Sequence, residues 1–378
     1  MRRAYLDHAS TSPLRPAAFE AMLPFLRDHH ADPGRLHAEG RVTRVALEDA
    51  REQVATLLGA QPREVVFTSS GTEAVNTAVW GAVERADSPA HIVTTAVEHS
   101  AVLDACRRSG ADVAVVGVDR LGRYDPAAVL DAVRPETALV TVQLANHEVG
   151  TMQPAGAVAA ACREHGVLVH VDACMAAGHV PVDFGALGAD LCSVSAHKFG
   201  GPKGAGALLV RRGLRLPPFV VGGAQERARR GGLEDVPAMV GFGAVAAEVS
   251  ADGRLAAEAG AQRELTDRVV HEAPARVGGV TLYGDPADRV PHLVCLGVEG
   301  VEAEPILLGL DQRGVAVHSG SACSSEALEP SPILAAMGVD ADHSLRVSVG
   351  WSSTAEDVDA FLEAFPAVVD RLRALRAG

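Results

Sequence analysis

The chain has 378 residues, of which 48% are hydrophobic, and its formal net charge is −14 at pH 7. A chain of this length can bury a large core, and its length allows two or three domains. Its acidic balance argues against a nucleic-acid or anionic-membrane surface, because such surfaces need clustered lysines and arginines. The N-terminus has no apolar stretch of signal-peptide length, and no apolar run is long enough for a membrane helix.

The first part of the chain alternates between predicted strands and helices. Helical periodicity predicts helices over about 16–28, 38–58, 74–83, 100–108, 126–133 and 155–165. Short apolar runs predict strands at 64–68, 91–95, 112–118, 138–144, 168–172, 190–194 and 205–210. This alternation indicates βαβ units in a mostly parallel sheet that is covered on both faces.

After Arg212 the pattern changes to that of a second, smaller α/β unit. A Gly- and Arg-rich loop at 222–232 precedes a long helix over 238–277 that is broken near Gly253. The remaining chain predicts strands at 280–283, 292–296, 315–318 and 345–349, and helices at 303–312 and 355–375. We expect a large domain at 14–250 and a small domain formed by 1–13 and 251–378.

Several polar groups follow predicted strands and so fall at one edge of the predicted sheet, where such folds bind ligands. They are Glu98-His99, Asn146-His147-Glu148 and Asp172. The turn Ser69-Ser70-Gly71-Thr72-Glu73, between a strand and a helix, has the form of an anion site at a helix N-terminus. The same residues also make an ordinary helix N-cap, and the turn alone does not decide between the two.

Lys198 lies in the turn between two predicted strands, in the glycine-rich stretch 193–204. A partly desolvated lysine with Ser and His neighbours is a candidate for Schiff-base chemistry. A solvated lysine on a surface hairpin is the alternative. Asp172 favours the first interpretation, because it ends an apolar strand and pyridoxal phosphate (PLP) needs an acid for its ring nitrogen.

The six cysteines show no CxxC spacing and lie mostly in apolar runs. This pattern predicts reduced, buried thiols in a cytoplasmic protein, with neither a disulfide framework nor a metal site. Cys323 differs, because it lies in a small, polar, proline-bounded segment at 318–332. Exposure makes it the one reactive candidate, with an incidental loop cysteine as the alternative.

Together these motifs resemble the cysteine desulfurases, and specifically those with the longer catalytic loop, among the class V aminotransferase-like PLP enzymes of fold type I. The resemblance runs nearly end to end. It is carried by Phe67-Thr68-Ser69-Ser70-Gly71-Thr72-Glu73, Glu98-His99, His170-Val171-Asp172-Ala173, Ser195-Ala196-His197-Lys198 and Ser319-Gly320-Ser321-Ala322-Cys323. It implies an α/β fold whose large domain holds a mostly parallel seven-stranded sheet, with a smaller α/β C-terminal domain.

The resemblance also implies a role for each cofactor-binding residue. Lys198 would form the Schiff base with PLP and later move protons, and Asp172 would pair with the ring nitrogen. His99 would stack on the ring and act as an acid/base. The residues that would hold the phosphate are Gly71, Thr72, Ser195 and His197.

For the reaction, the resemblance implies that Arg346 and His147 bind the carboxylate of L-cysteine. Cys323 would attack the substrate sulfur, leaving L-alanine and a persulfide that passes to a sulfur-acceptor protein. The loop at 222–232 would cross the interface of a homodimer. Whether the sulfur then serves iron–sulfur cluster assembly, tRNA thiolation or a secondary metabolite stays open.

Three positions depart from the family pattern. His147 replaces the second Asn of an Asn-Asn-Glu motif, Met175 replaces a Gln that donates to the cofactor's phenolic oxygen, and Leu233 replaces a Thr that reaches the partner's phosphate. Each lost hydrogen bond would weaken cofactor binding by about 1 kcal/mol. Two alternatives therefore stay open. One is a selenocysteine lyase or other C–S lyase or transaminase, and the other is a PLP-binding scaffold with little activity.

Overall fold

The structure, a computed structural model, describes residues 3–86, 89–319 and 330–377. Its strands are β1 (Ala4–Tyr5), β2 (Val65–Thr68), β3 (His91–Thr95), β4 (Asp112–Val116), β5 (Thr137–Gln143), β6 (Leu168–Asp172), β7 (Leu191–Ser195), β8 (Gly206–Val210), β9 (Val280–Tyr283), β10 (Leu293–Val298), β11 (Val315–Ala316) and β12 (Ser344–Ser348). Its helices are α1 (Pro16–Arg27), α2 (Ala38–Leu57), α3 (Gly71–Arg85), α4 (Ser100–Arg108), α5 (Pro126–Asp131), α6 (Ala155–Glu164), α7 (Phe184–Leu187), α8 (Gln225–Ala228), α9 (Val236–Ser250), α10 (Arg254–Arg276), α11 (Ala303–Asp311), α12 (Pro332–Ala336) and α13 (Ala355–Ala377). None of these helices is both long enough and apolar enough to cross a membrane.

The large sheet has seven strands in the order β2-β8-β7-β6-β5-β3-β4. Its strands pair in parallel except β8, which is antiparallel to both β7 and β2. The exception has a simple cause, because the connection from β7 to β8 is too short for the crossover that a parallel neighbour needs. The mostly parallel seven-stranded sheet predicted from the sequence is therefore confirmed.

A second sheet is antiparallel, in the order β12-β10-β9. Its apolar core joins strand residues such as Leu296 and Val347 to Phe361 and Phe365 of α13. Near it, β1 pairs in parallel with β11, so the N-terminal residues belong to this second unit. The boundaries at 14 and 251 stay a prediction.

Differences from the predicted elements lie at their ends. The helix after β2 begins at Gly71, about three residues before the predicted start, because the Ser70 side chain caps it by accepting from the Glu73 N–H. The predicted break near Gly253 separates α9 from α10, and Gly253 has a φ of +71°. That left-handed conformation costs a glycine little.

Candidate active site

One cavity of about 210 Å³ opens beyond the carboxyl ends of the central strands. The turns after β2, β5, β6 and β7 line it, together with the residue before α4. It brings together eight of the residues predicted from the sequence: Gly71, Thr72, His99, His147, Asp172, Ser195, His197 and Lys198. Of the polar groups that the sequence placed along one sheet edge, His99, His147 and Asp172 thus share one space, whereas Glu98, Asn146 and Glu148 are buried and are not among its lining residues.

The N-terminus of α3 forms the corner of this cavity that the sequence predicts to bind an anion. A Cβ atom at Gly71 would lie 2.5 Å from the Cys174 Sγ atom, so only glycine allows this approach. The Ser195 hydroxyl is buried and has no hydrogen-bond partner among the described residues. Burial, followed by the charges of Lys198 and Lys203, lowers the pKa of His197 to about 4. For hydrogen bonding, this corner therefore offers the neutral His197 imidazole, the N–H groups of α3 and the Ser195 hydroxyl, which has no partner among the described residues.

Lys198 extends into the cavity from a one-turn 3₁₀ segment, Ala196–Phe199, between β7 and β8. Its Nζ atom donates to the main-chain oxygens of Ala9 at 2.7 Å and Ser10 at 3.1 Å. Its own carbonyl accepts from the Ser12 hydroxyl at 3.1 Å. β7 and β8 do form an antiparallel pair, but the lysine is half-buried in the cavity, and the interpretation as a solvated hairpin tip is wrong.

Asp172 ends β6 at the floor of the cavity and is only 9% exposed. Its Oδ1 atom accepts from the Cys174 N–H at 2.9 Å, which fixes the carboxylate relative to the strand end. A carboxylate at this depth is suited to hold a positively charged ring nitrogen.

Two imidazoles line the side of the cavity above this floor. The rings of His99 and His147 make an edge-to-face contact, with centroids 4.9 Å apart and an interplanar angle of 61°. The preceding residue, Glu98, is fully buried outside the cavity lining, and burial raises its pKa to about 8. Its Oε1 atom accepts from the Thr95 hydroxyl at 2.6 Å and the Gln143 N–H at 3.0 Å. Glu98 therefore supports the strand ends and does not face the cavity.

Arg346 is not among the described residues that line the cavity. It lies on β12 with 1% of its surface exposed. Its guanidinium donates to the main-chain oxygen of His147 at 3.0 Å and pairs with Asp7 at 2.9 Å. It thus joins the second sheet to the rim of the cavity beside His147.

Two buried histidines stack on each other behind Lys198, and they were not predicted from the sequence. The His179 and His292 rings stack with centroids 3.5 Å apart. His179 Nε2 lies 3.2 Å from the Lys198 carbonyl, and His292 Nε2 lies 3.2 Å from the Sδ atom of Met175, which lines the cavity. Burial lowers the pKa of both histidines. No local sequence pattern signals a pair separated by more than 100 positions.

The described cysteines are free and buried, as the sequence predicted, except for one. Four are free and buried, at 106, 162, 192 and 295, whereas Cys174 is partly exposed and lines the cavity. Burial raises the pKa of the Cys174 thiol well above its usual value, so it stays protonated. Cys323, the predicted nucleophile, lies outside the described residues, and Leu233 is 62% exposed.

Comparisons with known proteins identify the family and the fold. The sequence profile of the family described as "Aminotransferase class-V" matches residues 4–361. A cysteine desulfurase IscS of Dictyoglomus turgidum is 40% identical over 381 residues, covering 99% of this chain and 96% of that protein. The solved structure of a NifS-like protein has a TM-score of 0.90 at 31% identity, covering 98% of this chain and all of that one. A structure of SspA in complex with cysteine has a TM-score of 0.82 at 30% identity, covering 93% of this chain and all of that one.

Proposed function

This chain belongs to the class V aminotransferase family, and on that basis we propose that it is a PLP-dependent cysteine desulfurase. It converts L-cysteine to L-alanine and keeps the sulfur as a persulfide on Cys323. The observation that best supports this function is that one cavity combines the Lys198 amine, the Asp172 carboxylate and the predicted anion site at Gly71 and Ser195. Relatives named cysteine desulfurase cover nearly the whole chain, and one similar solved structure holds cysteine.

The donor set of the cavity fits PLP. The cofactor's phosphate would satisfy the Ser195 hydroxyl, which has no partner among the described residues, and would meet the N–H groups at Gly71 and Thr72. Asp172 would hold the proton on the ring nitrogen, and His99 would cover one face of the ring. When bound, PLP supplies an electron sink for the α-carbon of the substrate.

The chain's own residues then bind the substrate and move protons. Lys198 would hold the cofactor through its amine and would afterwards take up and return a proton. The substrate carboxylate would bind at the rim, where Arg346 lies against the His147 main chain. The Cys323 thiolate would attack the substrate sulfur, so that an S–S bond forms and the Cβ–S bond breaks. The electron pair of the broken bond stays on the three-carbon fragment, which takes up a proton at Cβ and leaves as alanine.

Exposed apolar side chains support a homodimer. The exposed fractions are 50% for Phe19 on α1, 59% for Val45 on α2 and 62% for Leu233 in the loop between α8 and α9. The loop is held near α2, because Arg227 pairs with Glu48 at 2.8 Å. We propose that a second copy covers these side chains, and that ultracentrifugation gives twice the 39.1 kDa chain mass. The sulfur acceptor would be a separate cytoplasmic protein that meets Cys323.

The test is the visible spectrum of the purified protein before and after L-cysteine is added, with alanine, sulfide and pyruvate assayed in the same tube. We expect a yellow protein that forms alanine, and a Cys323→Ala variant that stays yellow but loses turnover. Cys106→Ala is the matched control, because it removes a buried thiol whose pKa burial raises to about 12. Pyruvate formation that survives Cys323→Ala would identify a simple C–S lyase. A protein that stays colourless with added PLP would refute the enzyme assignment.

A further inference from the structure

The turn between β2 and α3 forms part of the predicted anion site, and residues outside the cavity hold it in place. Ser70, Gly71 and Thr72 line the cavity, where the Ser195 hydroxyl is buried without a partner among the described residues. The segment 226–230 contributes no lining residue, yet it contacts the chain on both sides of this turn. The position of the turn therefore depends on a segment that lies outside the cavity lining.

On one side of the turn, the segment 226–230 contacts the main chain of β2. This strand is at the end of the large sheet and pairs only with β8, so one row of its main-chain groups needs partners from outside the sheet. The Phe67 N–H donates to the Glu226 carboxylate at 2.9 Å, and Arg229 donates to the Val65 oxygen at 3.1 Å. The segment thus takes the place of a neighbouring strand and fixes the end of β2 that leads into the turn.

On the other side, Arg230 holds the first turn of α3 through Glu73. The Arg230 Nε and Nη2 atoms donate to the two oxygens of the Glu73 carboxylate at 2.8 and 3.2 Å. The same carboxylate accepts from the Ser69 N–H at 2.8 Å, while the Glu73 N–H donates to the Ser70 hydroxyl at 3.1 Å. One carboxylate therefore joins Arg230 to the main chain of the turn.

Arg230 also changes the charge that an anion in the cavity would meet. Glu73 lies in the first turn of α3, where its carboxylate suits the helix dipole but repels a phosphate bound at the same terminus. A guanidinium paired through two bonds offsets this repulsion. The pair is largely shielded from water, since the side chains of Arg230 and Glu73 are only 22% and 10% exposed.

We infer that Arg230 is a positioning residue for the cofactor's phosphate and that it acts through Glu73 from outside the cavity. The inference rests on the proposed function, because it takes PLP as the ligand. Arg230 orients the N–H groups at the start of α3 and neutralises the one carboxylate in that helix turn. Linkage of this kind is reciprocal, so a bound phosphate should also hold the segment 226–230 more firmly.

The first test compares PLP with pyridoxal, which has no phosphate, by equilibrium dialysis. Arg230→Gln should weaken PLP binding about five- to tenfold and leave pyridoxal binding unchanged. Arg230→Lys keeps the charge and should recover most of the loss. Arg227→Gln is the matched control, because Arg227 belongs to the same segment but pairs with Glu48 of α2 at 2.8 Å, and it should match the wild type. Unchanged PLP binding in Arg230→Gln, or equal losses for both ligands, would overturn the inference.

The second test is hydrogen-exchange mass spectrometry of the full chain, without and with PLP. Without PLP, the amides of residues 69–73 should exchange about fivefold faster or more in Arg230→Gln than in Arg227→Gln, while those of β6 stay unchanged in both. In the wild type, added PLP should slow exchange at 226–230. Equal exchange at 69–73 in the two variants would overturn the inference. If the wild type binds neither PLP nor pyridoxal, the proposed function fails, and the exchange at 69–73 still decides whether Arg230 positions the turn.

Discussion

A buried ion pair holds the segment around α8, and its removal should lower the free energy of unfolding. Glu226 and Arg51 have side chains that are 1% and 2% exposed, and they pair through two contacts of 2.6 and 2.7 Å. The Phe67 N–H also donates to this carboxylate at 2.9 Å. Glu226, Arg227 and Ala228 have φ values of 48°, 60° and 61°, a left-handed turn without glycine. Such a turn persists only where surrounding contacts impose it.

Replacing Glu226 with Gln removes the closer of the two carboxylates that neutralise the buried Arg51 guanidinium and leaves Glu48, at 3.4 Å, as its counter-charge. Breaking a buried pair in this way costs about 3–5 kcal/mol, and we expect about 3 kcal/mol because the amide oxygen still accepts one bond. With an unfolding entropy of about 2.1 cal/mol/K per residue, this lowers the Tm by about 4 °C. Asp28→Asn is the matched control. It breaks an ion pair with Arg27 whose side chains are 48% and 70% exposed, and it should leave the Tm unchanged.

The assay is thermal unfolding followed by circular dichroism, on the wild type and both variants in the same buffer. The double variant Arg51→Met, Glu226→Leu should recover most of the loss, because it removes both charges together. The reasoning fails if the Glu226→Gln and Asp28→Asn variants have the same Tm. The Glu226 carboxylate would then contribute no more to stability than an exposed carboxylate does.

Three further predictions concern the cavity and a buried carboxyl group beside it. Ser195→Ala should weaken PLP binding about fivefold without lowering stability, because its hydroxyl makes no bond to the described protein. Ser193→Ala should instead lower stability, since Ser193 bonds to His170 at 2.8 Å. Met175→Gln should strengthen PLP binding about fivefold by adding a donor. Glu98 binds its proton more tightly when folded, with a pKa of about 8 against an ordinary 4.5. Stability should therefore fall with rising pH between these values, by about 1.4 kcal/mol per unit, and Glu98→Gln should abolish that slope.

Equilibrium dialysis against PLP measures the two affinity changes, and urea unfolding at several pH values measures the stability changes. Equal PLP affinity in Ser195→Ala and the wild type would show that the hydroxyl does not contact the phosphate. Weaker binding in Met175→Gln would show that the thioether packs against the cofactor better than an amide does. A pH slope that persists in Glu98→Gln would assign the titration to another group.

The sequence predicted the large sheet well because its strands are short apolar runs between polar turns. The bounds of β6 (Leu168–Asp172) and α4 (Ser100–Arg108) match the prediction to the residue, since each is flanked by a clear change in polarity or by a cap. The mostly parallel sheet followed from βαβ alternation, and so did the edge that gathers several of the polar groups, whereas the order of the strands was not predicted. Short segments such as α7 and α12 were not predicted, because four or five residues carry no measurable periodicity.

Contacts between segments that lie far apart in the sequence could not be predicted from it. Arg346 was predicted to bind a carboxylate, and its contacts to Asp7 and to the His147 main chain are visible only in the fold. The same holds for the His179–His292 stack behind Lys198. Each contact depends on the packing of two separately folded segments, which local periodicity does not encode.

The N-terminal segment couples the reactive amine to the second sheet. Ala4 pairs with Val315, and Asp7 pairs with Arg346 at 2.9 Å. A few residues later, the Ala9 N–H donates to the Ser348 hydroxyl while the Ala9 oxygen accepts from Lys198. One short N-terminal segment, which continues from β1 into a turn, therefore contacts both the amine proposed to carry the cofactor and the guanidinium proposed to bind the substrate. Because the same backbone contacts both groups, a shift of the second sheet that moves Arg346 toward a substrate carboxylate must also change the hydrogen bonds of Lys198.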